Sequence, residues 1–118
     1  MKRIIVCLMA CLSISLMFNS CSKVDESLLI GKWQEGTVFE KYLSNGTGYT
    51  WDTSDNVTEA EAQKFEWTLV NSELTQIHIM ESSATRVPKY YTLIELTSTS
   101  LKYKDNLNVT HSFVKISK

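Results

Sequence analysis

The sequence predicts an all-β domain over residues 28–118, an eight-stranded antiparallel up-and-down barrel. Three observations carry this reading. From Leu28 onward apolar residues recur at period two in short runs, each bounded by turn formers. The links between runs are compact and polar, of the length that joins neighbouring strands. Helical spacing is almost absent outside one segment near residues 58–63. A sandwich of the same strands is the alternative architecture, and it would lack a closed ring of hydrogen bonds between first and last strand. With 118 residues, 43% of them hydrophobic, one proline and four glycines, the chain suits one ordinary domain.

Strands are expected at Gly31–Glu35, Val38–Leu43, Thr47–Trp51, Lys64–Val70, Leu74–Glu81, Lys89–Leu96, Ser100–Lys104 and Val109–Ile116. In the fourth, Phe65, Trp67 and Leu69 alternate with Glu66, Thr68 and Val70, so one face is buried and the other mostly wet. Leu101 and Tyr103 alternate in the same way with Lys102 and Lys104. Ser44-Asn45-Gly46 carries an Asn-Gly pair, which accepts positive φ at both central positions of a tight hairpin. Asn71-Ser72-Glu73, Thr97-Ser98-Thr99 and Asp105-Asn106-Leu107-Asn108 are the other short links. Pro88 is expected at a strand start, where its missing N–H does least harm. Thr58-Glu59-Ala60-Glu61 reads as a capping box on a short helical turn, placed as a flap over one barrel end. An eight-stranded barrel has a lumen that side chains fill or that holds one small ligand. Strands of about 5–6 residues are too short for an outer-membrane barrel, whose strands need about 9–11.

The first twenty residues read as an address. Met1-Lys2-Arg3 is positive, and Ile4 to Phe18 is a 15-residue run without charge. That is the layout of a secretory signal, too short for a spanning helix of about 20 residues. Cys7 and Cys11 fall inside it, so only Cys21 survives processing, and one cysteine makes no internal disulfide. Phe18-Asn19-Ser20-Cys21 resembles a loose bacterial lipobox of the Bacteroidetes type, in which a small residue precedes a cysteine that becomes acylated and N-terminal. The resemblance implies a signal peptide over residues 1–20 and a lipid anchor on Cys21, with palmitate-like chains in an outer membrane. Residues 21–27 then form the lipidated cysteine and a flexible polar tether. Ser22-Lys23-Val24-Asp25-Glu26 also looks like the Lys-then-acidic export signals of surface lipoproteins, so the domain is expected on the periplasmic or the cell-surface side. Loss of Lys2 and Arg3 leaves ten basic against thirteen acidic residues, a net charge of −3. Such a domain is not drawn to an anionic bilayer, and with no clustered basic residues it is not a nucleic-acid binder.

Leu29-Ile30-Gly31-Lys32-Trp33 is similar to the Gly-x-Trp opening of lipocalins and calycin-like barrels. The order that follows is Gly46-Thr47-Gly48-Tyr49, Phe65-Glu66-Trp67-Thr68-Leu69, Leu74, Tyr91-Thr92-Leu93-Ile94-Glu95-Leu96 and Leu101-Lys102-Tyr103. This order looks like that of small lipocalin-like lipoproteins of Bacteroidetes-type bacteria. The resemblance implies that Gly31 and Trp33 close one barrel end. In lipocalins an arginine near the last strand packs over that tryptophan, whereas here the nearest basic residue is Lys115. A lysine stem can cover Trp33 but lacks the planar stacking of a guanidinium.

Chemistry is sparse. His78 and His111 sit on separate strands without a second ligand at regular spacing, so they read as half-buried strand residues and no metal is assigned. Asp52-Thr53-Ser54-Asp55-Asn56 fails as a calcium loop, because Val57 replaces the tight-turn glycine and Gln63 the bidentate glutamate. No Gly-x-Ser-x-Gly elbow and no phosphate loop is present, and no cofactor or catalytic residue is assigned. The carboxylate pairs Glu59 with Glu61 and Glu35 with Glu40 fall in a loop and near strand ends, and read as solvated charge. Ligand sites combine apolar walls with a few polar tips, and Trp51, Trp67, His78 and Tyr91 are the residues expected to line a pocket. The functional expectation is a monomeric, non-enzymatic, lipid-anchored envelope barrel that binds a small apolar or amphipathic ligand. The alternative is a protein-interaction or structural envelope module with a filled barrel, and a cavity distinguishes the two.

Overall fold

The computed structural model describes residues 24–118. The signal, Cys21 and the first residues of the tether lie outside the described residues. A 3₁₀ turn, Glu26–Leu29, leads into eight strands: β1 (Gly31–Glu35), β2 (Val38–Tyr42), β3 (Thr47–Asp52), β4 (Gln63–Val70), β5 (Glu73–Ile79), β6 (Arg86–Leu96), β7 (Ser100–Lys104) and β8 (Thr110–Ser117). Each pairs antiparallel with its neighbour in sequence. β8 returns to pair with β1, and the sheet closes into an up-and-down barrel. That last ladder excludes the sandwich.

Directly paired residues share a face, so alternation along each strand fixes what enters the lumen. The interior has two halves. At one end Leu29, Trp33, Tyr42, Phe65, Leu74 and Leu101 are fully buried. Trp33 donates its ring N–H to the Leu29 carbonyl at 2.8 Å. The Lys115 ammonium lies 4.9 Å from the centre of the Trp33 ring and donates to the carbonyls of Leu28 and Ile30 at 3.0 and 2.9 Å. Lysine thus caps the tryptophan as a point cation, binding two backbone oxygens of the incoming chain. Gly31, at φ +137°, brings β1 against β8: a Cβ there would stand 2.7 Å from the Ser117 carbonyl oxygen. Gly48 leaves room for the Phe65 ring, which a Cβ would meet at 2.5 Å.

Two local expectations are corrected. Gly46 has positive φ but Asn45 does not. The turn spans four residues between Tyr42 and Thr47, and the Asn45 carboxamide oxygen instead accepts from the Thr47 N–H and hydroxyl. Pro88 lies inside β6 rather than at its start. Only Thr92–Leu96 of β6 faces β7, so Arg86–Tyr91 pairs with β5 alone and forms an edge, where proline is tolerated.

The link between β3 and β4 holds two 3₁₀ turns, Thr53–Asp55 and Glu59–Glu61. The Glu61 carboxylate accepts from the Thr58 N–H and hydroxyl. Glu59 bridges Lys32 at 2.5 Å and Lys41 at 3.2 Å, two residues on the outer face of β1 and β2. The flap therefore docks on the outer wall beside the rim. Further ion pairs, Arg86 with Glu66 and Lys102 with Glu95, give that wall a surface suited to water.

Candidate ligand cup

The end opposite Trp33 is open. It encloses a cavity of about 620 Å³, whose lining includes Glu40, Thr50, Gln76, His78, Tyr91 and Tyr103. Alternation explains this set. Leu74, Gln76 and His78 point inward along β5, and Val38, Glu40 and Tyr42 along β2. The deep half of each row is apolar or aromatic and packs, while the half toward the rim turns polar.

Glu40 is the centre of the floor. It is 5% exposed and accepts from the Tyr42 hydroxyl at 2.7 Å, the Tyr103 hydroxyl at 2.8 Å and the Gln76 amide at 3.3 Å. The expectation of solvated charge is corrected for this residue. Its neighbours Lys41 and Phe39 face outward, which turns Glu40 into the lumen. Burial pushes its pKa up, against the three hydrogen bonds that favour the carboxylate. Burial and the adjoining carboxylate hold the hydroxyls of Tyr42 and Tyr103 well above the ordinary tyrosine range, so both keep their protons and donate.

A directional chain continues from Glu40. The Gln76 amide nitrogen faces Glu40 and the Tyr42 hydroxyl, so its oxygen faces His78 Nε2 at 2.8 Å. His78 Nδ1 lies 2.8 Å from the Gln63 side-chain amide. Burial, with a smaller push from Lys89, brings the His78 pKa down to about 4, and the ring is neutral at pH 7. Both ring nitrogens thus face side-chain oxygens, Gln76 Oε1 and Gln63 Oε1, the neutral ring donates to one of them, and the Gln63 Nε2 donates to Met80 Sδ at 3.2 Å.

His111 is the opposite case. Its Nδ1 lies 3.1 Å from Glu35 and its Nε2 2.9 Å from Asp105. Burial lowers its pKa, but the two carboxylates outweigh this and raise it. The carboxylates sit on opposite ring nitrogens and do not converge on one point, so they brace the ring and favour its protonated form rather than make a metal ligand set.

The structure divides the four residues expected to line a pocket. His78 and Tyr91 line the cup together. Trp67 is packed below it, edge-on to Tyr42 with ring centres 5.7 Å apart, and donates its N–H to the Leu43 and Thr47 carbonyls. Trp51 lies on the outer wall, stacked on Phe39 at 5.1 Å, with the Lys32 ammonium 5.6 Å from its ring. Glu40, Gln76 and Tyr103 were not singled out as site residues. The signal was present: each shares the strand parity of a buried neighbour, Tyr42, Leu74 or Leu101, so a polar group at that parity marks the lumen. No family model, curated protein or solved structure matches this chain.

Proposed function

We propose that the chain is a lipid-anchored envelope barrel, similar to the small lipocalin-like lipoproteins of Bacteroidetes-type bacteria, that binds a small amphipathic ligand in its open cup. One observation carries this reading: a cavity of about 620 Å³ opens at one end of the barrel. That lies within the range of about 300–1,000 Å³ of small-molecule sites. Aromatic faces and a few fixed polar groups line it, and this combination suits a ligand with an apolar body and a polar head. Tyr91 packs tilted against Tyr103, ring centres 4.3 Å apart, to form one wall. The polar groups of the floor already hold one another in place, so the cup reads as a binding site rather than a reaction centre.

The test is native mass spectrometry of the purified chain after exposure to a lipid and metabolite extract of its own envelope. A retained small mass that competitors displace, and that Tyr91→Ala loses while the barrel stays folded, is the expected result. A bare mass under every condition overturns the reading and turns attention to protein partners.

A further inference from the structure

Glu40 poses a problem of charge. It is a carboxylate 5% exposed, and among the described residues no lysine, arginine or histidine lies within ion-pair distance of it. Its three partners are neutral donors. Buried charges in proteins are ordinarily paired, because desolvation is costly without an opposite charge. The two cations of the cavity lining, His111 and Lys89, make no ion pair with Glu40. His111 is held between Glu35 and Asp105, its ring centre 5.5 Å from that of Tyr103, and it acts on Glu40 only at longer range, beyond ion-pair distance. Lys89 is exposed toward solvent at the rim and makes no ion pair with Glu40. What Glu40 does face is the cavity.

The aromatic wall adds a second argument. Tyr103 donates to Glu40 and stands between Tyr91, at 4.3 Å, and Phe113, at 5.4 Å between ring centres. Aromatic faces attract cations within about 6 Å of the ring centre, most strongly where water is excluded. Carboxylate and π-faces therefore meet at one place, and both favour positive charge.

We propose that the cup takes a small organic cation, a protonated amine or quaternary ammonium on an apolar body, with its charged head at Glu40 and its body along the Tyr91–Tyr103–Phe113 wall. This rests on the ligand-binding reading and specifies the ligand's charge. Lys89, the lysine on the cavity lining, opposes the incoming cation from the rim.

The experiment is calorimetric titration of the full chain in detergent at pH 7.5 with three probes of one shape: 2-phenylethylamine, 2-phenylethanol and 3-phenylpropionate. The amine is expected to bind at least about ten-fold tighter than either of the others, the discrimination of one partly desolvated charge pair. Glu40→Gln is expected to abolish that preference. Should Glu40→Gln fail to fold, Lys89→Gln on the exposed side decides, and it is expected to tighten the amine severalfold. Equal binding of all three probes, tighter binding of the acid, or an amine affinity that Lys89→Gln leaves unchanged overturns the assignment of a cation while the cup remains a ligand site. Binding of none of the probes also overturns it. The ligand-binding reading itself falls only if the envelope extract leaves the protein bare as well.

Discussion

At the scale of single residues, the two histidines titrate in opposite senses. His78 has its folded pKa depressed to about 4, below its ordinary value of 6.5, by burial first and Lys89 second. A depressed histidine contributes stability that is present above its ordinary pKa and lost as the pH falls toward the folded value. His111 has its folded pKa raised, since Asp105 and Glu35 outweigh burial. Its contribution is present below the ordinary value and lost as the pH rises through the folded one. Thermal melts of the wild type, His78→Gln and His111→Gln from pH 4.5 to 9 separate them. The gap between wild type and His78→Gln is expected to shrink as the pH falls from 6.5, and the gap to His111→Gln to shrink as it rises from 6.5. A His78→Gln gap that widens on acidification would mean that the ring is an imidazolium in the folded protein. His111 is about one-third exposed, so solvent screening makes its effect the smaller of the two.

At the scale of elements, the β5–β6 hairpin carries local strain. Its turn places Ala84 at φ 55°, with its N–H bonded to the Met80 carbonyl at 2.7 Å. The left-handed region costs a residue with a Cβ about 1–2 kcal/mol, against about 0.5–1 kcal/mol of extra chain entropy for glycine. Ala84→Gly is therefore expected to stabilise the barrel by about 0.5 kcal/mol, a rise of roughly 2–4 °C in melting temperature. A lower melting temperature would show that the turn relaxes out of that conformation. The elements themselves were legible in the sequence: period-two alternation located all eight strands, β1 and β7 with both ends correct and the others with ends within three residues. Pro88 was misplaced because a proline is compatible with an edge, and whether Arg86–Tyr91 is an edge depends on where β7 stops. The Asn45-Gly46 pair suits a tight turn, yet the register of β2 with β3 left four residues to connect. The cup was half legible. His78 stands out as a rare type on a strand and Tyr91 as an aromatic with a polar tip, whereas Glu40 looks like surface charge until its parity is matched to Tyr42. Trp51 and Phe39 look like core, yet their parity puts them outside, under Lys32.

At the scale of the whole molecule, the proposed lipid anchor and the cup belong to opposite barrel ends. The chain enters at the closed end, where Val24 and Leu29 pack with the core and Lys115 ties down Leu28 and Ile30. Three residue steps separate Cys21 from Val24, a span of at most about 10 Å when extended. With Cys21 acylated, the closed end lies at the headgroups and the cup opens away from the bilayer, so a ligand enters from the aqueous side. With the proposed leader removed the chain has a net charge of −3, which does not draw it to an anionic bilayer. In the proposed envelope role the acyl chains on Cys21 supply the attachment, each buried CH₂ contributing about 0.8 kcal/mol. Cys21→Ser is expected to abolish incorporation of labelled palmitate completely, while the barrel still folds with an unchanged melting temperature, because Cys21 precedes every core residue. Labelling that persists in Cys21→Ser would place the modification elsewhere. A chain secreted from Ser22 without acylation is expected in the soluble fraction at both low and high salt. Its retention on membranes at high salt would mean that an apolar stretch of the wall, with Val114 and Ile116 exposed on β8, touches lipid directly.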